Sequence, residues 1–394
     1  MADNFRFHCP VKIVSGTTAL EKLPSEFKQL NAKRPLIVTD PGVSGAGLLD
    51  LINSTFTDSD ITVAVTYDRV PADSPLSSIL EIVELYHQHA CDSFLAVGGG
   101  SAIDTAKAAN IKVTDRDIDL MHFKSVLRMN KTTQPLIAIP TTAGTGSEVT
   151  SAAVISNPDK GIKLSLINPQ IPPNTAIIDP RMTATLPPGL TASTGMDALT
   201  HAVEACIGTQ KNPISDAYAG SAIRLIARNL VEVVQNGGNL EARLSMANAA
   251  TMAGIAFSNS MVGMVHALGH ATGAVCHIPH GIAMSLYLAD TLEFNLDTVS
   301  GFLGDLLPEW VGIEETAGTP VADRPTRFIE GIRQMRRKLN QLCQLPLTLR
   351  EMGVTEDKLE EIARIAITDG AAYYNRKKFN EADALTVIRR VYAA

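Results

Sequence analysis

The texture of this chain changes at Pro187-Pro188-Gly189, from mixed strand and helix patterns to helix alone. Upstream, short β-rich apolar runs alternate with helical stretches, the pattern of parallel strands joined by crossover helices. Strands are expected at 36–39, 61–66, 94–97 and 136–139, with helices over 75–89 and 102–111, where apolar residues recur at helical spacing. Ser74 stands as an N-cap with Pro75 in the first helical position. Between 150 and 179 three more β-rich runs, A-A-V-I-S, K-L-S-L-I and T-A-I-I-D, extend or edge the sheet, split by N-P-D-K-G and N-P-Q-I-P-P turns. Downstream, Ala-, Leu- and Met-rich helical segments run to Ala394, and 313–325 reads as a polar loop or insertion. The expected architecture is therefore an α/β N-terminal nucleotide-binding domain over 1–186 and an all-α C-terminal domain over 187–394. A length of 394 residues suits two such domains, and 45% hydrophobic residues can fill both cores.

Charge and cysteine usage narrow the partners. A formal net charge of -7 disfavours nucleic acid or an anionic membrane, either of which wants a basic surface. The five cysteines are scattered without a C-x-x-C pair, so neither a disulfide framework nor a thiolate zinc site is expected, and a reducing cytoplasm is the expected location. No export signal and no apolar span of membrane length is read in the chain.

Two glycine-bearing loops follow apolar strands. Gly98-Gly99-Gly100-Ser101 leads from a predicted strand into a predicted helix, where bare backbone N–H groups and the helix N-terminus can hold a pyrophosphate. Asp104 lies in the first turn of that helix, to cap or steer it. The same run also suits a plain tight strand–helix turn, and it is not the G-x-G-x-x-G fingerprint. The second loop, 140–148, offers hydroxyls on Thr141, Thr142, Thr145 and Ser147 beside two glycines. Two such loops at strand ends suit a long phosphate-bearing ligand. Asp40, ending the first strong strand, can accept from an adenosine ribose and repel a 2′-phosphate, favouring NAD over NADP; it can equally cap the next helix.

Potential metal ligands cluster in the second half. Asp197 and His201 lie four apart, on one helical face, among Met, Ala, Leu and Val. Burial there without partners is costly, although a hydrogen-bonded core histidine fits the same pattern. His266, His270, His277 and His280 fall within one short apolar stretch, four of the nine histidines in the chain. Pro279 bends the chain so that His280 can turn back toward the His266 face. One carboxylate and three imidazoles satisfy a divalent metal such as Fe(II) or Zn(II) and leave a position open. Spacing alone does not sort His270 from the ligands. Glu204, one turn past His201, suits either a supporting role beside the metal or a solvated face.

At these residues the chain closely resembles the iron-containing, group III alcohol dehydrogenases, whose relatives include lactaldehyde reductase and 1,3-propanediol dehydrogenase. The resemblance runs nearly end to end, through G-G-G-S-A-I-D-T-A-K at 98–107, P-T-T-A-G-T-G-S-E at 140–148, G-M-D-A-L-T-H-A-V-E at 195–204, V-H-A-L-G-H at 265–270 and I-P-H-G at 278–281. It implies a dehydroquinate synthase-like architecture with the active site between the two domains, and a homodimer. It implies metal ligands at Asp197, His201, His266 and His280, a non-ligand catalytic histidine at His270, cofactor hydroxyls at Thr141, Thr142 and Thr145, and a cofactor-side lysine at Lys163. Asp40 falls where the family's NAD preference is associated. His277 is an extra histidine, and Tyr373-Tyr374-Asn375-Arg376 replaces small residues and Asn-Pro, which bears on the pocket and substrate. Phe257, Met261, Met264 and Tyr373 suit either pocket lining or core packing. The expected reaction is metal-dependent hydride transfer between a small primary alcohol or diol and NAD, giving an aldehyde. A polyol or hydroxyacid dehydrogenase would use the same residues. A dehydroquinate synthase-like lyase would need a carboxylate with two histidines and several basic groups, and a non-enzymatic nucleotide sensor would have lost catalytic groups.

Overall fold

Runs of Val, Ile, Leu and Ala that are apolar on both faces become strands covered on both sides. A computed structural model describes residues 4–120, 129, 131–157 and 162–393, with Ile162 and Lys163 as backbone only. Contacts divide the chain into two units, one of His8–Thr185 and one in which the residues up to Phe7 join Leu186–Ala394.

In the first unit six parallel strands form one sheet, β1 (Lys12–Ser15), β2 (Pro35–Val38), β3 (Val65–Tyr67), β4 (Ser93–Gly98), β5 (Leu136–Pro140) and β8 (Thr175–Ile178), in the order β1-β8-β5-β4-β2-β3. Helices α1 (Leu23–Gln29), α2 (Pro41–Gly45), α3 (Leu48–Thr55), α4 (Leu76–Gln88) and α5 (Gly100–Thr114) connect them. The two-residue period of the strands feeds two cores. Leu36, Val38, Phe94, Ala96, Leu136 and Ala138 pack with Ile79 and Ile82 of α4 and Ile103 of α5. Their neighbours Ile37, Leu95, Val97, Ile137 and Ile139 pack with Phe27 of α1 and Ile52 of α3. The sheet is thus doubly wound.

Several expectations change here. β1 was not read from the sequence; K-I-V-S is short and largely exposed at the sheet edge. The strand expected at 61–66 narrows to Val65–Tyr67, because Thr62 and Ala64 donate to Lys33 and Pro35 carbonyls without forming a full ladder. The A-A-V-I-S and K-L-S-L-I runs become an antiparallel pair of their own, β6 (Ala152–Asn157) and β7 (Ile162–Ile167). The T-A-I-I-D run enters the main sheet between β1 and β5 as β8. Residues 158–161 of the N-P-D-K-G turn lie outside the described residues. Ser74 is not the N-cap of α4: it has φ 48°, Pro75 occupies the cap, and the Ser74 hydroxyl donates to the Ser101 carbonyl at 2.9 Å.

The second unit is helical: α6 (Pro188–Ile207), α7 (Pro213–Gln235), α8 (Leu240–Ser260), α9 (Met264–Cys276), α10 (His280–Phe294), α11 (Leu296–Val311), α12 (Ile313–Gly318), α13 (Arg324–Cys343), α14 (Leu359–Ala366) and α15 (Glu381–Ala393). The expected loop at 313–325 instead holds α12, a 3-10 turn at Val321–Asp323 and the start of α13. Two glutamates in the first turn of α12 favour the helix N-terminus despite the polar composition. Among the described residues no helix is long and apolar enough to cross a membrane.

Candidate functional site

Three helices of the second unit supply one cluster. Asp197 and His201 stand one turn apart on α6, His266 sits in the first turn of α9, and His280 opens α10. Pro279 is the N-cap residue of α10, and the chain turns after α9 at His277, two residues before the proline at which the sequence placed the bend. The extra His277 is exposed and closes α9 in a left-handed conformation at φ 56°. Gly281 sets the approach of α10 to α6: a Cβ there would stand 2.5 Å from the Ser193 carbonyl oxygen, so only glycine lets the backbones come this close.

One donor atom from each of Asp197, His201, His266 and His280 lies within 4.8 Å of the others. Asp197 Oδ1 is 3.3 Å from His280 Nε2 and 3.8 Å from His201 Nε2. The His201 and His266 rings lie 4.7 Å apart, and Phe257 stacks on the far side of His201 at 4.2 Å. Phe257 therefore packs against the cluster, whereas Tyr373 is 80% exposed and Met264 is fully buried. Met261 ends α8 with φ 67° and is half-buried.

The chemistry of the cluster fits a divalent cation. Asp197 Oδ1 and His266 Nε2 are buried without a well-directed hydrogen bond, a costly arrangement in a folded interior. Burial pushes the Asp197 carboxyl up, but His201, His280 and His266 outweigh it and hold the group well below the usual carboxylate range. Burial lowers His201 to about 3 and His266 well below the ordinary imidazole value. An ionised carboxylate among neutral imidazoles is the donor set a borderline cation takes.

Glu204 settles between its two readings. Only 2% exposed, it accepts from the Val265 N–H at 2.7 Å through Oε1, while Oε2 lies 2.5 Å from His266 Nδ1. A carboxylate accepts at both oxygens, which assigns the imidazole proton to Nδ1 and leaves Nε2 bare. Burial pushes the Glu204 carboxyl up to about 7. His270, one turn beyond His266, is not among the cluster's four donors; its ring is 5.4 Å from that of His280. Its Nδ1 lies 3.0 Å from Oδ2 of Asp369, a residue the sequence reading missed.

The segment that departs from the family pattern fastens helix ends. Asn375 donates to Asn295 and Lys377 and accepts from the Met264 N–H, while Arg376 donates to the Ile207 and Gly208 carbonyls at the end of α6.

In the first unit the glycine run lies where β4 passes into α5. A Cβ on Gly98 would stand 2.6 Å from that of Ala102 and 3.1 Å from Asp40 Oδ2; Cβ atoms on Gly99 and Gly100 would press on Thr142 and Thr145 at 3.3 and 3.0 Å. Asp40, the glycines, Thr142 and Thr145 therefore meet around one bare backbone turn, a cradle that side chains would fill and that suits a pyrophosphate. Thr141 is buried and its N–H donates to the Gly98 carbonyl, tying the second loop to the first. Ser101 is half-buried at the start of α5. Asp40 does cap α2, accepting from the Gly42 and Val43 N–H groups through Oδ1; Oδ2 is the atom that approaches Gly98.

Asp104 does not cap α5. Its carboxylate accepts from the Ser147 hydroxyl at 2.5 Å and from the Val154 N–H at 2.8 Å, so Asp104 and Ser147 brace the loop against β6 through each other. Lys107 completes this brace. Fully buried, it donates to Ser147 Oγ and to the Thr150 and Ala152 carbonyls. From sequence Lys107 receives no role; the available signal is its place one turn after Asp104 on the same helix face. Lys163 lies in β7 with its backbone paired to Ser156 of β6, and its side chain lies outside the described atoms.

Comparison with known proteins covers nearly the whole chain. A family model described as iron-containing alcohol dehydrogenase matches residues 10–180, and one described as the C-terminal part of the Fe-containing alcohol dehydrogenase family matches 191–392. The chain is 34% identical over 386 residues to the NAD-dependent methanol dehydrogenase of Bacillus methanolicus, covering 97% of this chain and 98% of the relative. It is 35% identical over 379 residues to 1,3-propanediol dehydrogenase of Citrobacter freundii, covering 96% of each. A crystal structure of 1,3-propanediol oxidoreductase superposes with a TM-score of 0.94 at 33% identity, covering 99% of this chain and all of that one.

Proposed function

The chain belongs to the iron-containing alcohol dehydrogenase family, a family of oxidoreductases, and from that premise we propose that it interconverts a small primary alcohol or diol and its aldehyde. The observation that carries the reading is the cluster of Asp197, His201, His266 and His280, with buried donor atoms left over from the protein's own hydrogen bonding. When bound, a divalent metal, Fe(II) or Zn(II), supplies Lewis acidity toward the substrate oxygen and NAD supplies a hydride acceptor.

The chain's own residues do the rest. Asp197, His201, His266 and His280 hold the cation, and Glu204 keeps His266 in the tautomer with a bare Nε2. His270, half-exposed and one turn from His266, takes the hydroxyl proton of the alcohol and passes it to water. In the aldehyde-reducing direction the same imidazole returns it. Backbone N–H groups of Gly98, Gly99, Gly100 and Ser101, with the hydroxyls of Thr141, Thr142 and Thr145, hold the pyrophosphate. Asp40 receives the ribose hydroxyls and disfavours a 2′-phosphate. Asp104, Ser147 and Lys107 keep the second loop in shape rather than touching the cofactor, and Lys163 is proposed as a further cofactor contact.

An anaerobic screen of short alcohols, diols and aldehydes against NAD(H) and NADP(H), after reconstitution with Fe(II) or Zn(II), tests this. The expected result is metal-dependent NADH formation from a short primary alcohol or diol. Full activity in metal-free protein ends the proposal, and turnover confined to polyols or hydroxyacids overturns its substrate class.

A further inference from the structure

Two histidines one turn apart on α9 are held in the same way from opposite directions in sequence. His266 Nδ1 meets Glu204, deep in the fold, and His270 Nδ1 meets Asp369, where the histidine side chain is 44% exposed. Asp369 is itself presented on a fixed support. Its Oδ1 accepts from the Ala371 N–H at 2.7 Å, capping the 3-10 helix Gly370–Tyr374. The far end of that turn is tied down by the Thr209 N–H, which donates to the Tyr374 carbonyl at 2.9 Å, and by the Asn375 contacts to Asn295 and Met264. The free oxygen, Oδ2, is the one facing His270.

We infer that Asp369 is a positioning residue: it accepts the Nδ1–H of His270, fixing ring and tautomer so that Nε2 is the single nitrogen available for proton exchange with the substrate. This rests on the reading of His270 as the proton carrier. An acceptor at Nδ1 forces the proton onto that nitrogen, and the second lone pair must then lie on Nε2. Without the carboxylate a half-exposed imidazole samples both tautomers and several rotamers, and only a fraction of encounters finds a bare Nε2 in place. The loss falls on turnover rather than on cation binding, because the hydrogen bonds of the Asp369 carboxylate go to His270 and to the Ala371 N–H.

Asp369→Asn separates this from a merely structural role. The amide oxygen still caps the 3-10 helix, since Asn is as good a cap as Asp, while the amide NH2 now faces His270 Nδ1 and reverses the tautomer. The experiment compares wild type, Asp369→Asn, His270→Ala and the double variant as full-length, Zn(II)-loaded protein, with propan-1-ol and NAD as probes. Zinc content, thermal midpoint, kcat and KM are measured, and the His270 tautomer is read from 15N chemical shifts of histidine-labelled protein at one pH. Expected for Asp369→Asn are wild-type zinc content and midpoint, kcat lower by about 10- to 100-fold, KM within about twofold, a His270 signal with the proton on Nε2, and a double variant no slower than His270→Ala. An unchanged kcat or an unchanged tautomer in Asp369→Asn, beside a slow His270→Ala, overturns the inference alone. A fully active His270→Ala overturns the reading of His270 as proton carrier, and the inference with it.

Discussion

Replacing Glu204 with Gln isolates what one proton does for the proposed metal site. The side chain keeps its length and volume, and its Oε1 keeps the 2.7 Å bond from the Val265 N–H. The new NH2 group then faces His266 Nδ1, which the carboxylate oxygen approaches to 2.5 Å. A donor there makes Nδ1 an acceptor and moves the imidazole proton to Nε2, the buried nitrogen with no protein partner. A protonated nitrogen has no lone pair for a cation, so binding must first restore the original tautomer against the new hydrogen bond. Turning the amide over does not help, because NH2 then meets the Val265 N–H. Either way a charge-assisted hydrogen bond becomes a mismatch worth about 1.5–3 kcal/mol, or about 10- to 150-fold in Kd. The range overlaps the roughly 10- to 100-fold typical of groups that orient metal-binding histidines. The assay is competition for Zn(II) against a chromogenic chelator at pH 8, above the value near 7 to which burial pushes the Glu204 carboxyl. Thermal midpoints of the metal-free proteins control for folding. A Glu204→Gln protein with the wild-type midpoint and a Kd within about twofold of wild type would refute the reasoning.

Three further outcomes are expected. Asp40→Asn keeps an oxygen able to cap α2 but drops the charge, so NADP use relative to NAD should rise about tenfold with little change in midpoint. Asp40→Ala should give the same coenzyme change and lose about 1 kcal/mol of stability; equal midpoints for the two variants would contradict the capping role. Burial lowers the Lys107 ammonium from 10.5 to about 8, so between those values the unfolded chain holds a proton that the folded chain has released. Stability from this group therefore rises with pH across that window, by at most about 1.4 kcal/mol per unit. Denaturation of wild type and Lys107→Met at pH 7.5, 9 and 10 should show a difference that grows with pH, and a flat or falling difference would count against it. Gly281→Ala should push α10 off the Ser193 carbonyl, destabilise by about 1–3 kcal/mol and weaken Zn(II) binding, whereas Gly301→Ala, with open space around its Cβ, should do neither. Calorimetry and the same chelator competition read both.

The parts of the fold carried by local pattern were legible. The short apolar, β-rich runs at 94–97 and 136–139 and the i, i+4 spacing of Asp197 and His201 report geometry that neighbouring residues largely determine. What failed depends on distant partners. K-I-V-S is too short and too exposed to announce β1, and its strand character comes from pairing with β8, far along the chain. The hairpin of β6 and β7 has the same composition as sheet strands; Asp104, accepting from Val154, helps to hold it to α5 instead. Ser74 has the residue type of a cap, yet its backbone bonds to Ser156 and turns it out of the cap position. Glu204 could be placed on a helix face but not inside or outside. Asp369 had no local signal at all, because its partner lies 99 positions away and the pairing exists only once α9 and the last turns are packed.

The unequal cut between the two units bears on synthesis. The sheet unit, His8–Thr185, is one uninterrupted stretch of sequence. The helical unit is not: Phe7 stacks on Tyr218 at 5.9 Å, so the residues before the sheet belong to a body whose remainder is translated after the sheet unit. At about 5–20 residues per second, the stretch after Thr185 takes roughly 10–40 s to emerge. Until Tyr218 is made, Phe7 has no ring to stack on, and the whole of the sheet unit lies between the two in sequence.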